Sequence, residues 1–125
     1  MREIKFRAWC ESLKLMQAPF DLIKDKGMLG GLGEIHNADY IVMQYTGLKD
    51  RSGVEIYEGD ILRFHDPDDF DHEEPHLTDI SWHEEQGCWM TDDIERTLGD
   101  VLLWYNEVEV IGNIHENPEL LDKKG

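Results

Sequence analysis

Three histidines alternate with carboxylates in one short stretch in the second half of the chain. His65, His72 and His76 lie within or beside a run of six acidic residues and two prolines. Imidazole nitrogens and carboxylate oxygens are ligands for Zn²⁺, Mn²⁺ and related divalent ions. The stretch lacks the paired cysteines and the fixed helical spacing of HExxH that make such sites tight. We therefore predict a solvated loop over residues 65–76, with the three histidines as weak metal candidates and no resident cofactor.

No other motif in the chain predicts catalysis. His83 and Cys88 could pair as a base and a nucleophile, but Cys88 lies between a glycine and a tryptophan, which predicts a buried strand. The glycines over residues 30–33 have neither a Walker lysine nor the strand-turn-helix setting of a phosphate loop. We therefore predict a flexible connection at these glycines and a protein that is not an enzyme.

The segment over residues 44–61, QYTGLKDRSGVEIYEGDI, reads as turn, strand, turn and strand. Its glycines favour turns, its isoleucines favour a core, and the carboxylates of Asp50 or Asp60 can bond backbone N–H groups in the turns. This structural role explains the segment without any ligand. If the two turns lie together, however, four residues form a polar and aromatic binding rim: Tyr45, Tyr57, Glu58 and Asp60.

The negative charge is concentrated in the second part of the chain. The formal net charge is −16, yet residues 1–50 hold seven basic and seven acidic side chains, whereas residues 51–125 hold five and twenty-one. Such a field repels nucleic-acid phosphates and anionic membranes and attracts basic surfaces. We therefore expect no direct nucleic-acid or membrane binding. Five loop carboxylates are candidates for contact with a basic partner, unless the acidic surface serves solubility alone: Asp68, Asp69, Asp71, Glu73 and Glu74.

Length and composition predict one folded domain in the cytoplasm. The chain has 125 residues, of which 40% are hydrophobic and 10% aromatic, enough for a sizeable core. Its longest apolar run covers residues 101–105, far short of the roughly 20 residues that span a bilayer. Charged residues occupy the start, where a secretory signal has its apolar stretch. Cys10 and Cys88 are therefore expected to remain reduced.

Short apolar segments separated by turn residues predict a mainly β protein with short helices. Alternation predicts a first strand over residues 4–9, with Lys5 and Arg7 on its polar face. Turn residues at 46–53 and 84–87 predict two hairpins. The further strands are expected at residues 40–45, 54–57, 61–64, 80–82 and 88–90.

The remaining segments are predicted as a loop, one or two helical turns, and strands. Residues 10–38 have mixed periodicity and several glycines, which predict a turn and a mobile loop. Asp92 has capping-box spacing with a glutamate three residues later, and Gly99 is placed to end that helix. Residues 102–114 follow as one long or two short strands, and Asn-Pro-Glu at 117–119 predicts the start of a terminal helix.

Three blocks of the sequence together resemble a known family. KFRAW near the start, QYTGLKDRSGVEIYEGDIL in the middle and EVIGNIHENPELL near the end look like the YopX-like family of phage and prophage proteins. The resemblance implies a single YopX-like domain over residues 1–125. It also implies an irregular β-containing lobe at residues 1–56 and an SH3-like small barrel at residues 57–125. It carries over no established activity, cofactor or catalytic residue.

We therefore expect a non-enzymatic phage accessory protein that presents an acidic surface to a host or phage protein. SH3-like barrels host many unrelated roles, so that the fold alone selects no partner. Two alternatives stay open. One is a metal-dependent enzyme built on the histidine and carboxylate loop, and the other is a structural protein that self-associates through exposed β edges as a homo-oligomer.

Overall fold

The structure is a computed structural model that describes residues 4–21, 40–65, 75–92 and 96–122. Nine strands and two short helices lie within these ranges. The strands are β1 (Lys5–Cys10), β2 (Leu15–Asp21), β3 (Tyr40–Lys49), β4 (Glu55–Tyr57), β5 (Asp60–His65), β6 (His76–His83), β7 (Cys88–Thr91), β8 (Arg96–Thr97) and β9 (Asn106–Asn113). The helices are α1 (Leu98–Trp104) and α2 (Glu119–Asp122). The prediction of a mainly β fold is confirmed.

The strands form two sheets that divide the chain between β4 and β5. The first sheet has the order β2-β1-β3-β4, and the second has the order β8-β7-β6-β5-β9. In the second sheet β5 to β8 follow one another as a meander, and β9 returns after α1 to pair antiparallel with β5. The second sheet is thus curled into a half-barrel, which confirms the predicted small β barrel.

Apolar side chains from both sheets share one core. Leu62, Phe64 and Ile80 of the second sheet are buried, and Ile56 of β4 joins them from the first sheet. The core is completed by Trp89, Leu98, Val101 and Val108. Burial of one aliphatic side chain stabilises a fold by roughly 1.5–3 kcal/mol. Ile56 therefore couples the first sheet to the barrel.

The first sheet is larger than the sequence pattern predicts. β2 pairs with β1 where the pattern predicted a turn and a loop. β3 continues to Lys49 because a bulge after Tyr45, at Gly47 with φ of 87°, lets the strand stay paired with β4. Glycine adopts this positive φ at little cost, whereas other residues are strained there. The predicted glycine-rich connection at residues 30–33 lies outside the described residues.

The helix near residue 99 begins later than predicted. Its capping residue is Thr97, whose Oγ1 accepts a hydrogen bond from the N–H of Asp100 at 3.1 Å. Gly99 therefore lies inside α1, and residues 102–104 are helical instead of extended. The terminal helix α2 follows the Asn-Pro pair, as predicted. In the described part of the chain no helix is long and apolar enough to cross a membrane.

Replacement of the cap residue has a defined expected effect. We expect Thr97→Ala to lower the free energy of unfolding by about 1 kcal/mol, because the N–H of Asp100 loses its side-chain acceptor. Thr97→Ser keeps the hydroxyl and is the matched control. Urea unfolding followed by circular dichroism measures the change, and equal midpoints for the alanine variant and the parent protein would contradict it.

Candidate binding groove

An open groove lies between the first sheet and the barrel. Its volume is about 730 Å³. One wall is the end of β3 with its bulge at residues 45–48, a second is the β6–β7 hairpin, and a third is the start of α1 at residues 97–99. These segments are distant in sequence, so that only the packing of the two sheets creates the groove.

Two tryptophans of the β6–β7 hairpin form the aromatic wall. Trp82 and Trp89 are cross-strand partners, and their rings meet edge to face with centroids 5.2 Å apart. Trp89 is 8% exposed and packs in the core, whereas Trp82 remains 44% exposed. Trp89 therefore supports Trp82, which presents ring surface to solvent. Tryptophan is enriched among the residues that dominate binding energy at protein interfaces.

The rest of the lining is apolar, hydroxylated or backbone. Leu48 is 37% exposed, while Tyr45 and Leu98 contribute from more buried positions. Among the described residues that line the groove, none is charged. The indole N–H of Trp89 is buried and donates to no described residue. The groove is therefore built for apolar and aromatic contact.

The positions close to the lining residues in the sequence, which we call the rim, hold more carboxylates than cations. Glu84 and Glu85 form the exposed turn of the β6–β7 hairpin, and Asp100 follows the lining residue at position 99. Lys49 and Arg96 are the basic neighbours on the other walls. Because the whole chain has a net charge of −16, the field around the groove attracts cationic groups.

One carboxylate fixes the turn that carries the β3 wall. Asp50 Oδ1 accepts hydrogen bonds from the N–H groups of Ser52 at 2.8 Å and Val54 at 2.9 Å. Its Oδ2 accepts from the N–H of Val110 in β9 at 3.0 Å. The predicted role of Asp50 in bonding backbone N–H groups of the turn is confirmed. The third bond, which joins the first sheet to the barrel, was not foreseen.

A buried ion pair joins β1 to β5. Arg7 Nη2 donates to Asp60 Oδ1 at 2.5 Å, and Asp60 Oδ2 accepts from the N–H of Tyr57 at 2.7 Å. The Asp60 side chain is 1% exposed, and the Arg7 guanidinium carbon lies 4.7 Å from the centre of the Tyr57 ring. Burial raises the pKa of Asp60, and the charge of Arg7 opposes that shift. The prediction that Arg7 lies on a polar face of β1 is wrong, because its side chain is 13% exposed and contacts Asp60 and Tyr57.

The four residues predicted as a binding rim lie together but mostly inside the protein. Tyr45 and Tyr57 are cross-strand partners whose ring centroids are 5.4 Å apart, and they are 4% and 3% exposed. Burial and the neighbouring Glu55 raise the pKa of Tyr57 to about 12. Asp60 is buried beside them, and Glu58 is half-buried. Tyr45 lines the groove, and a binding role for the other three stays a prediction.

The two described histidines of the predicted metal stretch lie on opposite faces of the barrel sheet. His76 stacks on its cross-strand partner Phe64, with ring centroids 5.6 Å apart. His65 follows Phe64 in β5, so it points to the other face, where its Nε2 lies 3.8 Å from Glu107 Oε2. No group of three potential ligands that could hold an ion occurs within the described ranges. His72 lies outside them, as do the five candidate carboxylates Asp68, Asp69, Asp71, Glu73 and Glu74.

His83 and Cys88 are cross-strand partners whose side chains contact different neighbours. His83 Nε2 lies 2.9 Å from Asp92 Oδ1, and Cys88 Sγ lies 3.6 Å from the Sδ of Met90. In a base and nucleophile pair the imidazole would instead contact the thiol. Asp92 also accepts from the Ser81 hydroxyl at 2.7 Å. The predicted helix cap at residue 92 is wrong, because Thr97 caps the helix that follows. Both cysteines of the chain are free.

The sequence predicts the hairpin that carries the two tryptophans but does not predict a groove. A usable signal was present, because Trp82 and Trp89 lie equally far from the centre of the Glu-Glu-Gln-Gly turn and must therefore pair across the hairpin. The other lining residues come mainly from β3 and α1, and no local sequence pattern predicts such a long-range contact.

Comparison with known proteins places the chain in a family. A profile of the YopX protein family matches residues 5–122. The crystal structure of protein EF1440 from Enterococcus faecalis is similar to this chain, with a TM-score of 0.67 and 31% sequence identity over 97% of this chain and 99% of that one. Comparison with curated proteins gives no match. Because the profile covers every described strand and both helices, the chain belongs to the YopX protein family.

Proposed function

We propose that this protein is a non-enzymatic interaction module that binds another protein through its groove and the acidic surface around it. The supporting observation is Trp82, which stays 44% exposed at a groove of about 730 Å³. Contiguous exposed apolar surface on a soluble domain usually marks an interaction site. The described lining offers ring and aliphatic surface without a charged group, which suits binding better than acid–base chemistry.

The partner has a basic surface. The net charge of −16 and the rim carboxylates Glu84, Glu85 and Asp100 attract cationic groups and repel phosphates. A basic protein is therefore favoured over a nucleic acid. The five carboxylates predicted at residues 68–74 extend the same charge, and they are part of this proposal.

The biological setting is a phage or prophage accessory role in the bacterial cytoplasm, where the protein acts on a host or phage protein. The resemblance of the three sequence blocks to phage and prophage proteins supports this setting. The metal-dependent and self-associating alternatives stay predictions, since neither gains support from the contacts of the described residues.

Affinity capture from nuclease-treated host lysate, with and without phage infection, tests the proposal. We expect a retained basic protein whose recovery falls about tenfold or more with Trp82→Ser, as loss of a central interface tryptophan does. Trp104→Ser is the matched control, because Trp104 is 66% exposed but does not line the groove.

The acidic surface has its own variant in the same experiment. Neutralising the five loop carboxylates together should weaken capture and reduce its dependence on salt. Recovery that is unchanged in the Trp82 and charge variants contradicts the proposal, and so does the absence of any specifically retained protein.

A further inference from the structure

The β3 edge at the groove does not suit the addition of another strand. β3 pairs with β1 through Gln44, and its register with β4 shifts between Tyr45 and Lys49. The bulge at Gly47 breaks the regular alternation there, and the N–H of Leu48 donates to Thr46 Oγ1 at 3.2 Å. A ligand that binds by main-chain pairing needs a regular edge with open N–H and C=O groups.

The second strand edge at the groove is also too short. β8 has two residues, and the N–H and C=O of Arg96 are both directed to Thr91 Oγ1, at 3.3 and 2.8 Å. In this described strand Thr97 is paired with Met90 of β7, and its side chain already caps α1. The groove therefore holds a ligand through side-chain surfaces.

The exposed ring of Trp82 is the main recognition surface that the groove offers. Trp82 is supported edge to face by Trp89, and Tyr45 lines the groove from the first sheet. A polyproline II segment has no internal hydrogen bonds and presents pyrrolidine rings that pack on aromatic side chains. Its conformation is preset, so that little entropy is lost when it binds. The apolar proline rings of such a ligand therefore match the aromatic and aliphatic lining of the groove.

Charge at the rim adds a second requirement. Glu84 and Glu85 lie directly after the strand that carries Trp82, and Asp100 follows Gly99, a lining residue of α1. We infer that the groove binds an extended, proline-rich segment of a partner protein, with arginine or lysine beside its prolines. This inference rests on the proposed function and specifies which chemistry the partner brings to the same site.

The test uses the full chain labelled with ¹⁵N and three synthetic peptide pools, each of about ten residues. The first pool has Pro-x-x-Pro with arginines on either side, the second has the same prolines with glutamates, and the third alternates valine and threonine with arginines. The indole N–H signals of Trp82 and Trp104 are assigned with the Trp82→Phe and Trp104→Phe variants. We expect the arginine and proline pool to shift the Trp82 signal and leave the Trp104 signal in place.

Titration then measures relative affinity. We expect binding to weaken at least about tenfold with the glutamate pool and with Trp82→Ser, while Trp82→Phe retains part of the affinity because it keeps a ring. Stronger binding by the valine and threonine pool, or binding that is insensitive to Trp82→Ser, overturns the inference. If no pool binds but lysate capture still depends on Trp82, the proposed function stands and the inference fails. If no pool binds and the lysate yields no protein whose capture depends on Trp82, both the proposed function and the inference fail.

Discussion

Arg7→Met is expected to lower the free energy of unfolding by about 3–5 kcal/mol at neutral pH, because it breaks a buried ion pair. The substitution leaves the Asp60 carboxylate, which is 1% exposed, without its charged partner. The methionine side chain keeps most of the apolar stem that packs beside Tyr57, so that the loss reports the charge rather than a cavity.

The loss from Arg7→Met should shrink as the pH falls. Arg7 opposes the rise that burial causes in the pKa of Asp60, so its removal lets that pKa rise further. Between the ordinary aspartate pKa and this raised value, the folded variant binds a proton that the unfolded chain releases, so stability decreases as pH rises through the window. Urea unfolding at pH 5 and pH 7 should therefore show a smaller difference from the parent protein at pH 5.

A double variant separates the ion pair from other effects of the substitution. Asp60→Asn keeps an oxygen that can accept from the N–H of Tyr57 while it removes the buried charge. Combining it with Arg7→Met should recover about 2 kcal/mol relative to Arg7→Met alone, because no unpaired charge remains. A loss that is the same at both pH values, or strictly additive single and double variants, would contradict a buried ion pair.

Asp50→Ala is expected to lower the free energy of unfolding by about 3 kcal/mol. Three backbone N–H groups, those of Ser52, Val54 and Val110, lose their acceptor together. Each donor left unpaired in a buried position costs about 1–3 kcal/mol, reduced where water can replace the carboxylate. The change also loosens the turn that holds residues 45–48 at the groove.

Asp50→Asn divides this effect into its two parts. The amide oxygen can still accept from the turn, but the amide nitrogen cannot accept from Val110, so we expect an intermediate loss of about 1–2 kcal/mol. Glu85→Gln, in an exposed hairpin turn, is the matched control with no expected change. Urea unfolding measures the stability of all three variants. An alanine variant as stable as the control would show that the hydrogen bonds of Asp50 do not stabilise the fold.

The middle segment shows what local chemistry can predict. Asp50 and Asp60 accept hydrogen bonds from turn N–H groups, and Ile56 and Ile61 are fully buried, as the turn residues and apolar positions indicated. These features depend on neighbours within a few positions, which is the range over which a single sequence is informative. The β6–β7 hairpin was predicted for the same reason.

Arg7 shows where local reasoning ends. Alternation along β1 identifies which side chains share a face, but residues of both faces are buried, Ala8 on one and Trp9 on the other. Only the tertiary contact with Asp60 makes a buried arginine favourable. The predicted boundary of α1 is wrong for another reason. Gly99 does not end the helix, and the residue that begins it is the threonine two positions earlier, which is its cap.

The groove contains one part that local sequence predicts and other parts that depend on tertiary contacts. The aromatic wall follows from local sequence, because Trp82 and Trp89 pair across one hairpin. The other walls come from β3 and α1, which reach the groove only through tertiary packing. Thus the residues that support the proposed function could be named from the sequence as core or turn residues. Their assembly into one site required the fold.

Hydrogen–deuterium exchange of the full chain, alone and with the protein recovered by capture, tests whether the partner binds in the groove. We expect slowed exchange in the three groove walls, at residues 45–48, 82–89 and 97–99, and no change at the exposed end of α1 around Leu103 and Trp104. The Trp82→Ser variant should lose that protection at equal partner concentration. Protection confined to the end of α1 or to β2, with the groove walls unchanged, would contradict the account.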